Sequence, residues 1–390
     1  LRNINLSKQA TSRLLIGRSD FYLKDIEDNI KSFRPGEWIT VNELYYAFIN
    51  PFVIKGPILR KVVAIKDFSI NTPPLEIITT LLRKSYDRRV QFLDYKNYRL
   101  CYGDSDQLPG LIIDVFENCV LVQINTAGID IHRNEIIDYV ASLYPQKKVS
   151  FLDNKKYRDN EVLPTYENSF TEDILVNENN FKYTISNSTL QKVGYYFDHR
   201  ENRLKMETFL GRIAPLKNGM DLFCYTGSWG LHLLRAGVDN VTFVDQADMS
   251  ENIDHVLDVN GFPNRGEFIR RDVFSHLDLC IQNHERFDII VNDPPAFSKS
   301  EKNLKKALGG YEKLHAKAIK LINDKGFYVA ASCTHGVSLK DLDSSVIKAA
   351  TRIGRTVKML DVGVQGFDHP FSSFESNEFY IKYLLYQVYE

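Results

Sequence analysis

A cysteine closing one apolar run and an acid locked by two prolines at the end of another are the residues of this chain best suited to covalent chemistry. Gly326-Phe-Tyr-Val-Ala-Ala-Ser-Cys333 reads as a buried strand that delivers a thiol at its carboxyl end. Phe287-Asp-Ile-Ile-Val-Asn-Asp-Pro-Pro-Ala-Phe297 is a second buried strand, running into Asp293-Pro-Pro. The prolines fix φ and hold the acid and the backbone after it at the mouth of a sheet. In acid-Pro-Pro-aromatic turns the acid accepts from a nucleobase amino group while the aromatic stacks on the ring. Here Ala296 takes the aromatic's place and Phe297 follows one residue later. A thiol beside such a turn suits methylation of cytosine at C5, a poor nucleophile until a thiolate adds at C6 and makes the ring an enamine. Methylation of a ring nitrogen needs no thiol. The plainer alternatives are a rigid strand-exit turn for the prolines and an inert small hydrophobe for the cysteine. Cys101, Cys119, Cys224 and Cys280 are read as inert. Attack by Cys333 would need a thiol pKa below the free value of about 8.5; His335 is adjacent and serves either that end or local packing.

A second set of residues suits a nucleoside cofactor. Asn218-Gly-Met-Asp-Leu-Phe-Cys-Tyr-Thr-Gly-Ser-Trp-Gly230 runs from strand through tight turn to helix start, which places a nucleotide-like ligand at the carboxyl end of a parallel strand. Tyr225 stands where a dinucleotide fingerprint has its first glycine, so a pyrophosphate is disfavoured. S-adenosylmethionine has no phosphate, and Phe223, Tyr225, Thr226 and Gly227 would cradle its methionine end. Asp245, followed by Gln246, lies eighteen residues beyond Gly227, an offset at which an acid takes ribose hydroxyls. Asp272, followed by Val273, would accept from the adenine amino group. Each acid alone is explained at least as well as a helix N-cap; both in order behind a glycine turn favour the cofactor. Arg200 and Arg203 share a face if their segment is helical, and Arg200 would hold the cofactor carboxylate. The alternative is an amphipathic helix packed on the sheet. Lys192 and Tyr195, upstream in the same segment, complete the set.

The elements that position these residues follow from periodicity. With 390 residues, 44% hydrophobic and 25% charged, two or three globular domains are expected. Residues 1–70 are strand-like, with Phe33–Val41, Tyr45–Asn50 and Ile58–Ile65 as the main runs, and suit a small β-barrel. Residues 71–185 suit an α+β middle domain: a helix over 75–92, strands around 98–124, a helix over 132–143 and a hairpin over 174–185. From 186 to 390 strands alternate with helices near 228–236, 248–259, 303–323 and 339–353. The last two strands lack a helix between them and should pair antiparallel at the sheet edge. Five parallel strands plus such a hairpin is an α/β class I methyltransferase layout. Five cysteines without a CxxC pair read as free thiols of a reducing cytoplasm, not as zinc ligands. No membrane span or signal peptide is evident. The net charge of −1 hides a basic front: residues 1–100 hold 17 Lys/Arg against 10 Asp/Glu. Arg83, Lys84, Arg88 and Arg89 would form an exposed basic helix face for a polyanion, or simply a solvated surface.

Taken together, Gly103-Asp-Ser-Asp-Gln-Leu-Pro-Gly110, Lys192-Val-Gly-Tyr-Tyr-Phe-Asp-His-Arg200, Phe223-Cys-Tyr-Thr-Gly227, Asp293-Pro-Pro-Ala-Phe297, Ser332-Cys-Thr334 and Asp368-His-Pro370 resemble the ribosomal RNA large subunit methyltransferase I family. The resemblance covers nearly the whole chain. It implies an S-adenosylmethionine-dependent cytosine-C5 methyltransferase of large-subunit rRNA, with an RNA-binding PUA domain, a middle α+β domain and a catalytic domain with a seven-stranded Rossmann-like sheet. It implies Cys333 as nucleophile and Asp293 as the motif acid. It also leaves a homodimer open. Thr334 stands for the family's Ser, Gln107 for Gly and Val193 for Thr, and Gly17-Arg-Ser-Asp-Phe-Tyr22 replaces its His-Pro-Trp-Val-Phe stretch. A related subgroup methylates guanine nitrogens, and a noncatalytic RNA-binding or assembly factor is the reading from another class.

Overall fold

Short β-branched and aromatic runs open the chain. Strands β1 (Asn3–Ile4), β2 (Asp20–Phe21), β3 (Glu37–Val41), β4 (Tyr45–Ile49) and β5 (Leu59–Ala64) form a sheet in the order β1-β3-β4-β5-β2. The computed structural model describes residues 1–69, 71–92, 96–166, 170–187, 194–213, 215–297 and 304–390. These fall into two units: Leu1–Leu175 with Ser186–Gly194 and Phe367–Pro370, and Val176–Ile185, Tyr195–Gly366 and Phe371–Glu390. The strand-like reading of the first seventy residues misses helix α1 (Lys8–Leu15). Ser7 caps it, its hydroxyl accepting from the Ala10 N–H at 3.3 Å, and Ala10 and Leu14, one turn apart, enter the core.

Helix α2 (Pro74–Phe92) leads the rest of the first unit. Its buried positions Ile77, Ile78, Leu81, Leu82, Ser85 and Arg89 recur at helical spacing. The apolar ones share a core with Trp38, Phe48 and Val62 and with a second sheet. That sheet is β6 (Tyr98–Tyr102), β7 (Leu111–Val115), β8 (Cys119–Ile124) and β9 (Lys148–Phe151), in sequence order, with α3 (Ala127–Asp130) and α4 (Arg133–Leu143) between the last two strands and α5 (Lys155–Asn160) after them.

Helical spacing also corrects the basic face. Arg89 falls with Leu82 and Ser85 on the inner side, not with Arg83, Lys84 and Arg88. Its guanidinium binds both oxygens of buried Asp106, at 2.5 and 2.7 Å, and donates to the Arg99 and Asp368 carbonyls. Arg88 also reaches Asp106, at 3.1 Å, but remains partly exposed, and exposed Arg83 pairs with Asp87 one turn on.

Hairpin β10 (Ile174–Glu178) and β11 (Phe181–Ile185) turns through Asn179 and Asn180, both at positive φ, as a tight two-residue turn requires. After it the second unit runs α6 (Arg200–Leu210), β12 (Asn218–Leu222), α7 (Ser228–Arg235), β13 (Asn240–Asp245), α8 (Ser250–Val259), β14 (Gly266–Arg270), α9 (Val273–Gln282), β15 (Phe287–Asn292), α10 (Leu304–Lys320), β16 (Ile322–Ser332), α11 (Leu339–Arg352), β17 (Thr356–Val364) and β18 (Lys382–Tyr389). The sheet order is β14-β13-β12-β15-β16-β18-β17. The first five of these pair parallel, and β18 lies antiparallel between β16 and β17. Strand order reverses between β12 and β15, so a crevice opens at their carboxyl ends, where open α/β sheets bind ligands. Helix α9, absent from the sequence reading, follows β14 and is capped by Asp272. No helix among the described residues is long and apolar enough to cross a membrane.

Arg89 yields a stability prediction. Arg89→Met leaves the Asp106 carboxylate without its bidentate partner, and breaking such a buried pair costs roughly 3–5 kcal/mol. Arg83→Ala, at an exposed pair, should barely move the denaturant midpoint. Equal midpoints for the two variants would refute the assignment.

Candidate active site

The turn after β12 is strained. Phe223 and Tyr225 both adopt left-handed backbone, at φ 61° and 48°. Non-glycine residues enter that region at a cost of order 1–3 kcal/mol, and such strain clusters at ligand-binding turns. Asp245, ending the adjacent β13, holds the turn: its Oδ2 accepts from the Tyr225 N–H at 3.1 Å and its Oδ1 from the Ala247 N–H at 2.9 Å. Gly227, at φ 75°, caps α7, and a side chain there would meet Ile253 Cδ1 at 2.8 Å. Thr226 is buried with its hydroxyl 3.1 Å from that of Ser228. Gln246 is exposed just past the strand.

Beneath the turn lies Asp221, fully buried. Its Oδ2 accepts from the Gly230 N–H at 2.9 Å, while Oδ1 has no hydrogen-bond partner among the described residues. Burial, reinforced by the charges of Asp293 and Asp245 and opposed by the Gly230 bond, raises its pKa to about 8. It is a carboxyl that stays protonated at neutral pH.

The other cofactor candidates are placed unevenly. Asp272 acts as an N-cap: its Oδ1 accepts from the Ser275 N–H at 2.9 Å and hydroxyl at 3.0 Å. Val273 opens α9 and is buried. Tyr195 is buried among Tyr183 and Phe197, with its hydroxyl 3.1 Å from that of Ser228. Lys192 lies outside the described residues. Arg200 opens α6, so Arg200 and Arg203 do share a helix face, but that face turns to a protein carboxylate. Arg203 donates to Glu178 Oε1 at 2.7 Å and Arg200 to Oε2 at 3.3 Å, all three residues being buried. Arg200 thus commits its Nε to this internal ion pair. Glu178 was hidden in sequence by its neighbours: Asn-Glu-Asn-Asn reads as turn chemistry.

Across the crevice, Asp293 follows β15. The Trp229 indole N–H donates to its Oδ2 at 2.9 Å, and His199 Nε2 lies 3.6 Å from Oδ1. Trp229 also stacks on Tyr383, with ring centroids 5.9 Å apart and planes 10° apart. Cys333, following β16, approaches the same turn: its Sγ lies 3.8 Å from the Pro294 carbonyl oxygen. All five cysteines are free; four are buried and Cys333 alone is partly exposed. Burial first, then the charges of Asp293 and Asp198, pushes the Cys333 thiol up to about 12. Phe297 packs edge-on against Tyr311, centroids 4.6 Å apart, so it closes the turn from below instead of presenting a free face. His335 stacks on Tyr380, whose hydroxyl donates to Asp198 Oδ2 at 2.7 Å.

The arrangement thus joins an acid with both oxygens near ring nitrogens, a thiol over the Pro294 carbonyl, and a strained turn tied to Asp245. Trp229, His199 and Asp198 were not singled out from sequence; Trp229, one of two tryptophans and set beside the glycine turn, was the available signal.

Comparison with known proteins agrees with this geometry. No family model matches the chain. Ribosomal RNA large subunit methyltransferase I of Pseudoalteromonas atlantica is 30% identical over 298 residues, 75% of this chain and 74% of the relative. The Escherichia coli protein of the same name is 30% identical over 294 residues, 73% of each chain. Among solved structures, a Streptococcus mutans chain assigned to the SAM-dependent methyltransferases superposes with a TM-score of 0.79 at 19% identity, covering 99% of this chain and 100% of its own. A methyltransferase solved with SAH gives 0.79 at 18% over the same extents. At such identities the likeness is one of fold.

Asp221 supplies the test of this site's electrostatics. Its folded pKa lies above the unfolded value of about 3.9, so the native state binds the extra proton and stability falls as pH rises from about 4 to 8. Asp221→Asn mimics the protonated acid. The melting temperature of D221N relative to wild type should therefore climb across that window; a difference independent of pH would exclude a protonated Asp221.

Proposed function

The chain belongs to the ribosomal RNA large subunit methyltransferase I family, and on that premise we propose that it is an S-adenosylmethionine-dependent methyltransferase acting on C5 of a cytosine in large-subunit rRNA. The observation that carries the reading is the placement of the partly exposed Cys333 thiol 3.8 Å from the Pro294 carbonyl, beside the held carboxylate of Asp293. Bound in the crevice, the cofactor supplies an electrophilic methyl group on a sulfonium. Asp245 keeps lone pairs for a ribose diol beyond its two backbone donors, and Asp272, which caps its helix through Oδ1, would offer Oδ2 to the adenine amino group. The turn Phe223–Gly227 would take the methionine end. Lys192, Tyr195, Arg200, Gln246 and Val273 complete the proposed set, with Tyr195 acting through Ser228.

Catalysis then rests on two side chains, Cys333 and Asp293. The Cys333 thiolate adds to C6 of a cytosine turned out of its stack, making C5 an enamine carbon able to accept a methyl group. Asp293 accepts from the cytosine amino group and so fixes the ring. After methyl transfer, loss of the C5 proton and expulsion of the thiolate restore the aromatic ring. Residues 1–70 serve as a PUA-like RNA-binding module, 71–185 as the middle domain and 186–390 as the catalytic domain. Arg83, Lys84 and Arg88 grip RNA phosphates; Arg89, spent on Asp106, does not.

Mapping of rRNA modifications by mass spectrometry, with and without the protein, tests the activity: a 5-methylcytidine should vanish in its absence. Complementation with Cys333→Ala should leave that site unmethylated, whereas restored methylation would point to a nitrogen acceptor that needs no thiol. An unchanged map in the null strain would overturn the proposal.

A further inference from the structure

Lys382 is a charge in an unexpected place. It opens β18, pairs across the sheet with Ser332 at the end of β16, and is fully buried. Its Nζ donates to the Thr334 carbonyl at 2.7 Å, the residue directly after Cys333, and sits 5.5 Å from the centre of the Phe379 ring. No carboxylate among the described residues lies within ion-pair distance of it. A buried ammonium without a counter-charge is costly unless some state of the protein supplies one.

We propose that Lys382 is the positioning residue that sets the ionisation of Cys333, its ammonium serving as counter-charge to the thiolate while its hydrogen bond fixes the Cys333-Thr334 turn. This rests on the reading of Cys333 as nucleophile. The charged and titratable groups facing this pair come from five elements: Asp293 after β15, Asp198 before α6, Tyr311 on α10, Asp341 on α11 and Lys382 itself. His335 lies one residue beyond Thr334. Asp293 and Asp198 oppose thiolate formation; Lys382 is the group among them that favours it. Burial lowers the Lys382 pKa to about 8, against the smaller raising effects of Cys333 and Asp341. The ammonium is therefore present below that pH and lost above it. Ionisation of Cys333 releases its proton to water, and the thiolate formed lies in the field of the Lys382 ammonium.

The test reads the thiol alone. Iodoacetamide labelling of Cys333 is followed by peptide mass spectrometry from pH 6.5 to 9.5, about a unit and a half either side of the Lys382 transition, in the full chain and in Lys382→Met. Labelling of K382M should be about tenfold slower at pH 7, equivalent to about one unit of thiol pKa, and the gap should close as pH passes about 8. A loss of packing alone would give no gap that closes with pH. Lys382→Arg, which keeps its charge, should match wild type below that pH and label faster above it; this variant carries the test if K382M does not fold. Superimposable profiles for wild type and either folded variant would overturn the proposal. Because neither RNA nor cofactor is needed, methyl transfer retained by Cys333→Ala would sink the covalent reading without altering the labelling result.

Discussion

One buried carboxylate sets the geometry of the site. Glu178, at the end of β10, is closed off from water and held by Arg200 and Arg203 from the first turns of α6. Such a pair adds little net stability, since desolvation of the charges cancels most of their attraction. Its consequence is positional: α6 has one rotation in which both guanidinium groups reach the same carboxylate. That rotation fixes His199, the N-cap of α6, beside Asp293, and Asp198 under the Tyr380 hydroxyl. Arg203 adds a bond to the Tyr196 carbonyl, anchoring the chain that leads into the helix. The acid of the Asp-Pro-Pro turn is thus addressed from two sides, by Trp229 on α7 and His199 on α6, and its orientation follows from a pair that touches neither substrate nor cofactor.

The electrostatic character of the crevice follows from its carboxylates. Burial first, and the neighbouring charges of Asp293 and Asp245 after it, raise the pKa of Asp221 to about 8. The charge left on Asp245 and Asp293 suits a cationic donor, and a sulfonium is one. A thiolate at Cys333 is disfavoured first by burial and then by the charges of Asp293 and Asp198. A site that must attract a cation and also form an anion needs a local positive charge near the anion, and Lys382 is a buried cation bonded to the Thr334 carbonyl, one residue after Cys333.

Periodicity made much of the fold legible. The helix over 75–92 and the hairpin over 174–185 lie where the apolar spacing and the Asn pair put them, and the final two strands pair antiparallel. Helices α1 and α9 were not legible. In α1, Lys-Gln-Ala-Thr-Ser-Arg-Leu-Leu has two core residues over eight positions, too weak a stripe to stand out from polar neighbours. In α9, the residue read as a ligand-binding strand end, Asp272, is also the cap that starts the helix. At the site, Asp245 and Asp293 could be placed because strand ends announce themselves. The burial of Arg200 and Arg89 could not be read, since a buried arginine has the same letter as an exposed one; only the partner decides, and Glu178 and Asp106 lie 22 and 17 residues away.

Lys382 shows what such a signal looks like. Ile381-Lys-Tyr-Leu-Leu-Tyr386 is an apolar strand with a single charge, and lysine is almost never fully buried without cause. On a strand that alternates faces, the charge could have turned outward at an edge. It does not, because β18 is flanked by β16 and β17 and both its faces are covered, as its uninterrupted run of buried residues from Lys382 to Tyr386 requires. The topology that closes the sheet antiparallel therefore also leaves this ammonium nowhere to go but beneath the turn that carries Cys333.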